Sequence, residues 1–206
     1  FNTSYSSQKE INRLDLLNAD QFASYITEAR PGFQPAGFNT DWQDLIFRPG
    51  AIQNYQLSFS GGTESVRYYL SGAYFDQKGV IINSDYDRFS LTSNINLKAS
   101  DKLDFGLNMF ARRNTTNGVR TQEGSGGLTP GVVASAFKFE PDQGIYKADG
   151  TYTTARLNDP HDNPYAVASE LEDESITDRF QASLFGEYSI LKDLKFRTSF
   201  GATTNN

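Results

Sequence analysis

Residues 52–75 of this 206-residue chain read IQNYQLSFSGGTESVRYYLSGAYF. Two runs of alternating character flank a short turn at residues 61–64. In the first run, Tyr55, Leu57 and Phe59 share one face, and the polar residues between them share the other. A period of two with one apolar face is typical of strands that remove one face from water. The segment therefore predicts a β-hairpin.

The same alternation recurs along the chain and predicts further strands. The predicted order is a strand at residues 1–7, a long loop with a short helix at 8–50, four strands within 51–114, a long loop at 115–176 and two strands within 177–204. Short turns alternate strictly with longer connections, as in outer-membrane barrels with tight turns at one rim and long extracellular loops at the other. We therefore predict an all-β fold, an antiparallel transmembrane β-barrel segment of about seven strands.

The strand count predicts a sheet that does not close on itself. Bacterial barrels of this kind have an even number of strands, and a barrel must close because an open edge leaves backbone groups unpaired in lipid. The chain also begins with Phe1 rather than Met. We expect these residues to be an arc of a larger barrel, from a longer or processed protein.

A soluble β-sandwich or lipocalin-like barrel also alternates, but it turns its apolar face inward. Two features favour lipid contact. The polar face carries charged groups, namely Arg67, Arg88, Arg112, Arg179, Glu187 and Arg197. The runs are also about 10 to 13 residues long, as a tilted strand needs to cross a bilayer, against about five or six in globular proteins.

The composition limits the classes of partner and site. The net charge is -6 and the isoelectric point is about 4.8, which argues against nucleic-acid binding because that requires a basic surface. The chain has no cysteine, so neither disulfides nor cysteine-ligated metals are available. It has no run of about 18 apolar residues that would predict a transmembrane helix.

Several blocks of the sequence resemble a known family. NTDWQDLIFRPGAIQNYQLSFSGG (39–62) and RYYLSGAYFDQKGVIINSDYDRFSL (67–91) resemble the SusC/RagA family of TonB-dependent outer-membrane transporters. LDLLNADQFASYI, DNPYAV and LKFRTSFG resemble further stretches of the same family. The similarity extends over most of the chain.

The resemblance implies a 22-stranded barrel in the outer membrane of a Gram-negative bacterium, plugged by an N-terminal domain. It also implies a link to TonB, a SusD-like surface lipoprotein at the mouth, and import of glycans or peptide fragments. The plug and the TonB box are not among these residues, which would correspond to the early barrel. We expect no enzyme activity and no cofactor. The alternative is a soluble or surface β-domain that binds a ligand or a protein partner without transport.

Four rings in the longest loop are candidate ligand contacts: Tyr146, Tyr152, His161 and Tyr165. Rings with a polar edge stack on sugars or pack on peptides, and binding residues are often placed on loops of a rigid scaffold. The alternative is that these rings only pack the loop. Trp42 is predicted to be a structural anchor of the first loop rather than a ligand contact.

The sequence predicts neither a catalytic nor a metal site. His161 is the single histidine, and no nucleophile signature accompanies it. Four loop carboxylates supply the hard oxygens that Ca²⁺ prefers: Asp142, Asp149, Asp159 and Asp162. Their spacing matches no EF-hand, so solvated loop acids are the favoured interpretation and calcium binding stays open.

Overall fold

The computed structural model describes residues 1–121, 131–157 and 161–206. Its main element is one seven-stranded antiparallel sheet in which the strands follow each other in chain order. The strands are β1 (Asn2–Gln8), β2 (Gly50–Gly62), β3 (Val66–Lys78), β4 (Asp85–Ser100), β5 (Leu103–Asn117), β6 (Glu174–Leu191) and β7 (Leu194–Asn205). The prediction of an all-β antiparallel fold with seven strands is confirmed.

The sheet is open across the described ranges. β1 bonds only to β2, and β7 bonds only to β6. Each outer strand therefore presents one row of backbone N–H and C=O groups without a partner strand there. This arrangement agrees with the expectation of a barrel segment rather than a sheet closed on itself.

Two strands extend further towards the long loop than the side-chain alternation indicates. β5 continues to Asn117 and β6 begins at Glu174, so the predicted loop at 115–176 becomes a connection of residues 118–173. Thr115 pairs with Ile176, and Asn117 pairs with Glu174. The reason is that the backbone ladder continues past the point where side chains alternate, since Thr115, Thr116 and Asn117 are all polar, so the pattern on β5 ends before the strand does.

The first long connection contains two helices, α1 (Ala19–Ala29) and α2 (Trp42–Ile46). Asn18 caps α1 through a reciprocal bond pair with Gln21. Such a capping box satisfies backbone donors that the first turn leaves without partners. Asp41 caps α2 by accepting from the two backbone amides that follow Trp42.

The second long connection also contains two helices, α3 (Val132–Lys138) and α4 (Pro164–Glu170). α4 follows a segment rich in Asp, Asn and Pro at residues 159–164. α4 begins there because Asn163 accepts from the amides of Tyr165 and Ala166, and Pro164 occupies the first helical position. Proline suits that position because its missing N–H would have no helical partner anyway.

The buried apolar core lies in the connections and not on the sheet. α2, α3 and α4 contact one another, and no helix of the described chain packs against a strand. The core residues are Trp42, Ile46, Ile81, Val132, Ala136, Phe139, Val167 and Ala168. We call these three helices, with residues 139–157, the loop module. Among the described residues, no helix is long and apolar enough to cross a membrane.

The loop module is attached to the strand ends. Arg48 N–H donates to the carbonyl of Val80 at 2.8 Å, and Ile82 N–H donates to the carbonyl of Ile46 at 2.9 Å. Asn83 adopts a left-handed backbone conformation in the β3–β4 connection, and its side chain donates to the carbonyl of Ala168 at 3.0 Å. The sheet therefore holds the module at the rim where the long connections leave it.

Candidate functional site

One face of the sheet is apolar and has no covering layer among the described residues. Directly paired residues of an antiparallel sheet share a face, and one row of such pairs joins Ile95, Leu107, Leu184 and Phe200 across four strands. Leu184 is 50% exposed, and Leu91 on the same face is 49% exposed. These side chains are therefore not packed in a closed interior, as a soluble sandwich would require.

Aromatic rings flank this apolar face at both ends. At the loop end, Tyr55 pairs with Tyr74, which pairs with Phe89. At the turn end, Tyr188 pairs with Phe196. Belts of rings at the two ends of an apolar band are typical of strands that cross a membrane. The belts cannot be read from the sequence, because they appear only once the register between strands is known.

The opposite face is polar and carries the charged side chains that the sequence assigns to it. Near the short turns, Glu187 accepts from Lys195 Nζ at 2.8 Å and lies 3.7 Å from a guanidinium nitrogen of Arg197. Arg197 also lies over the ring of Phe185, 3.9 Å from its centroid. That ring lies directly over Gly106, where a side chain would overlap it. This end of the polar face is thus occupied by a packed cluster in which one carboxylate pairs with two cations.

Trp42 anchors the loop module, as predicted. Its ring is 3% exposed, packs edge-on against Phe139 with centroids 4.8 Å apart, and donates from Nε1 to the carbonyl of Glu140 at 3.0 Å. A buried indole whose N–H has a partner incurs no desolvation penalty for that group. Trp42 is therefore a structural residue of the module.

A polar cluster with three buried members joins the first loop to the second, and we call it the polar clamp (buried Glu140, Asp142 and Gln143, with the more exposed Arg156). Glu140 accepts from the backbone amides of Arg156 and Leu157 at 2.7 and 2.9 Å, and from Gln143 Nε2 at 2.8 Å. Asp142 pairs with the Arg156 guanidinium and accepts from the amide of Ala36 at 2.8 Å. The clamp holds the two loops in one arrangement.

The structure brings Tyr146 and Tyr152 together. They form an isolated antiparallel bridge, and their ring centroids are 5.1 Å apart. Tyr146 is 48% exposed. The Tyr152 hydroxyl contacts Ser169 and donates to Glu170 at 2.7 Å. Ser169 lowers the pKa of Tyr152, but Glu170, desolvation and Tyr146 together outweigh it and raise the pKa to about 12.

The other two candidate rings lie in packed surroundings. Tyr165 packs against the apolar core of the loop module. His161 lies edge-on to Phe139 with centroids 6.4 Å apart, and its Nε2 is 3.3 Å from the carbonyl oxygen of Lys138. These contacts correspond to the alternative of rings that pack the loop, whereas ligand contact by any of the four rings remains a prediction.

The loop carboxylates have separate structural partners. Asp142 belongs to the polar clamp, and Asp162 pairs with Arg120 at 3.4 Å. Asp149 accepts from Thr151, and these side-chain and backbone bonds lower its pKa. Asp159 lies outside the described residues. In the ranges that the structure describes, no group of three or more acidic or histidine side chains is placed to hold a metal ion.

Comparison with individual known proteins finds TonB-dependent receptors. No protein-family model matches the chain. The chain is 46% identical over 206 residues to TonB-dependent receptor P3 of Formosa agariphila, covering all of this chain and 21% of that receptor. It is 26% identical over 231 residues to TonB-dependent receptor SusC of Bacteroides thetaiotaomicron, covering 98% of this chain and 22% of SusC. The chain thus spans about a fifth of the length of these relatives.

Solved structures match the fold. The RagAB peptide importer in its closed-closed state superimposes with a TM-score of 0.74 at 18% identity, over 98% of this chain and 27% of the matched chain. That likeness supports the barrel-segment architecture, and the sequence similarity to the receptors supports the family. The chain belongs to the SusC/RagA family of TonB-dependent receptors.

Proposed function

We propose that this chain is part of a TonB-dependent outer-membrane transporter that imports glycans or peptide fragments together with a SusD-like surface lipoprotein. The observation that carries the proposal is the two-faced sheet, with long strands, a bare apolar face and a polar face. TonB-dependent receptors of this type are outer-membrane proteins of Gram-negative bacteria. The proposed activity is transport and not catalysis.

The dimensions of the apolar face fit a bilayer. On β6 the part of this face without a charged residue extends from Phe180 to Ile190, because Asp178 interrupts it before Ile176. A strand rises about 3.3 Å per residue, and a tilt near 45° reduces this to about 2.4 Å along the membrane normal. The ten steps between these residues therefore cover about 24 Å, close to the band of about 25 Å on outer-membrane barrels. In water the same face would remain exposed, at a cost of about 25 cal/mol per Å².

The polar face would line a water-filled lumen. It carries hydroxyl and amide side chains on every strand from β2 to β7, and charged side chains on β3 to β7. Groups of this kind are expensive in contact with lipid, whereas they suit a hydrated path for a polar solute. The assignment of apolar residues to lipid and polar residues to the lumen follows from this difference.

The loop module is the proposed contact region for the solute outside the barrel. Tyr146 and Tyr152 form a half-exposed pair beside the carboxylate of Glu170, and such a surface offers ring faces and a hydrogen-bond acceptor to a sugar or a peptide. The polar clamp and Trp42 hold this surface rigidly. His161 and Tyr165 are weaker candidates, because their rings already have packing partners.

Gene deletion in the host tests the transport proposal. Cells that lack the receptor containing this chain should lose uptake of one class of oligosaccharide or oligopeptide, and the intact gene should restore it. The receptor should fractionate with the outer membrane and require detergent for extraction. A monodisperse protein in plain buffer would instead support a soluble or surface β-domain that binds without transport.

Protease treatment of intact cells tests the orientation. Cleavage should occur within residues 118–173 and not at the short turns after Gly62 or Leu191, because the proposed orientation puts the long connections outside the cell. Cleavage at those short turns from outside the cell would reverse the topology.

A further inference from the structure

Three arginines of the polar face lie close together near the loop end, and we call them the arginine patch (Arg88, Arg112 and Arg179). Arg112 on β5 pairs directly with Arg179 on β6. On the other side, Arg88 of β4 lies diagonally from Arg112, because Arg88 pairs with Asn114. Opposed residues have Cβ atoms only about 5 Å apart, and diagonal ones about 7 to 8 Å.

On the strands that the structure describes, no carboxylate balances the patch on its own face. The rows of paired residues through and beside it contain only neutral partners: Ser71, Ala73, Phe75, Ser90, Thr92, Phe110, Asn114, Thr177, Gln181, Thr203 and Asn205. The nearest acids of these strands point to the apolar face. Asp178 binds Arg113 there with two bonds of 2.7 and 2.6 Å, and Asp87 accepts from Tyr74 at 2.8 Å.

The guanidinium groups are left without hydrogen-bond acceptors in the described chain. The Nε atoms of Arg112 and Arg179 are shielded from water and have no hydrogen-bond partner there. Arg88 lies over the ring of Phe75, 5.1 Å from its centroid, a contact that uses the guanidinium face and leaves its N–H edge free. Other arginines of this chain, such as Arg48 and Arg156, are paired with carboxylates.

Like charges directly opposite each other destabilise a sheet, as Arg112 and Arg179 are here. The patch is therefore a local concentration of positive charge in a chain whose net charge is -6. An anion bound between these arginines would offset their repulsion. We propose that the arginine patch binds an anionic group, a carboxylate, sulfate or phosphate, of the solute that passes through the lumen. Guanidinium forks suit such groups because two parallel N–H donors match two oxygens.

The position of the patch favours the solute over another part of the receptor as the source of that group. Arg112 lies five residues from the end of β5 at Asn117, and Arg179 lies five residues from the start of β6 at Glu174. A solute that enters past the loop module reaches this part of the lumen first. The inference rests on the proposed transport function and narrows the solute to anionic compounds.

The test uses the complete receptor that contains this chain, purified in detergent. Three probes are titrated by calorimetry: sodium sulfate, trigalacturonate, and the methyl ester of trigalacturonate, which has the same sugars without the charge. The variants are R112Q/R179Q, R112K/R179K and, as a matched control, R113Q. Arg113 is the neighbouring arginine on the same strand, and it lies on the apolar face.

At least one charged probe should bind the wild type and R113Q, with affinity reduced tenfold or more in R112Q/R179Q. The affinity of R112K/R179K for the charged probe should lie between those of the wild type and R112Q/R179Q, because lysine keeps the positive charge and loses the two parallel N–H donors. The ester should bind no more tightly to the wild type than to any variant. The inference is overturned if neither charged probe binds, or if both bind R112Q/R179Q as well as the wild type.

A melting experiment without probe distinguishes the source of the anion. If R112Q/R179Q lowers the melting temperature while probe binding is unchanged, the arginines hold a carboxylate of the receptor itself and the inference is wrong. Uptake measurements separate the two proposals. If deletion of the receptor leaves uptake unaffected, the proposed transport function is wrong. If uptake depends on the receptor but the probes bind equally well with and without their charge, only the inference about the arginine patch is wrong.

Discussion

Leu184→Arg tests which face of the sheet meets lipid. Leu184 lies on the apolar face between Leu107 and Phe200. It is four residues from Phe180 and six from Ile190, so at about 2.4 Å per residue it lies within about 3 Å of the middle of the apolar band. An arginine at the bilayer midplane of a barrel costs about 2 to 4 kcal/mol.

Ser183→Arg is the matched control, because it adds the same side chain one residue away on the other face. Ser183 pairs with Asn108 and Gly201, and glycine leaves room for a longer neighbour. A polar side chain that faces a hydrated lumen should cost less than about 1 kcal/mol, as surface substitutions usually do. The two variants should therefore differ by at least about 1 to 3 kcal/mol.

The assay is equilibrium unfolding by guanidinium of the complete receptor in lipid vesicles. The free energies of unfolding of the two variants are compared with that of the wild type. Equal losses for both variants, or a larger loss for Ser183→Arg, would contradict the assignment of the apolar face to lipid. A loss confined to Leu184→Arg that disappears in the absence of lipid would support it most directly.

The remaining predictions concern the loops and the open sheet. Glu140→Gln should destabilise the loop module by about 1 to 3 kcal/mol, since buried amide donors lose a charged acceptor; hydrogen exchange should detect this, with exposed Glu28→Gln as control. The Tyr152 phenol, measured as the difference between wild type and Tyr152→Phe, should titrate near pH 12, and Glu170→Gln should lower that pKa. Because folding raises this pKa, the stabilisation is complete below about pH 10 and is lost as the pH rises through 12. Residues 1–206 expressed alone should aggregate in detergent through the edges of β1 and β7, and a heat-resistant compact band on electrophoresis would contradict this.

Local pattern was sufficient to predict the strands and their order. The alternation around Tyr55 and Leu57 specifies a strand because successive side chains point to opposite faces, which is a property of neighbouring residues. The short turns at Gly61 and Lys192 are likewise local signals. The α1 cap at Asn18 is a local feature as well, since the cap and the amide it binds are three residues apart.

The candidate site was predictable only in part. Tyr146 and Tyr152 are six residues apart in the sequence, yet their contact depends on a backbone bridge that no periodicity indicates. Tyr165 belongs to the same loop, but its ring packs against the apolar core of the loop module. Which rings stay exposed depends on the packing of helices that the side-chain alternation does not indicate.

The amino-acid sequence by itself determined that the chain forms antiparallel strands with one apolar and one polar face. Tertiary structure alone decided which residues meet across those strands, including the aromatic belts and the opposition of Arg112 and Arg179. It also decided the polar clamp, where Asp142 binds the amide of Ala36, 106 residues away. Alternation is set by the geometry of neighbouring residues, whereas register and loop packing depend on hydrogen bonds and contacts between distant segments.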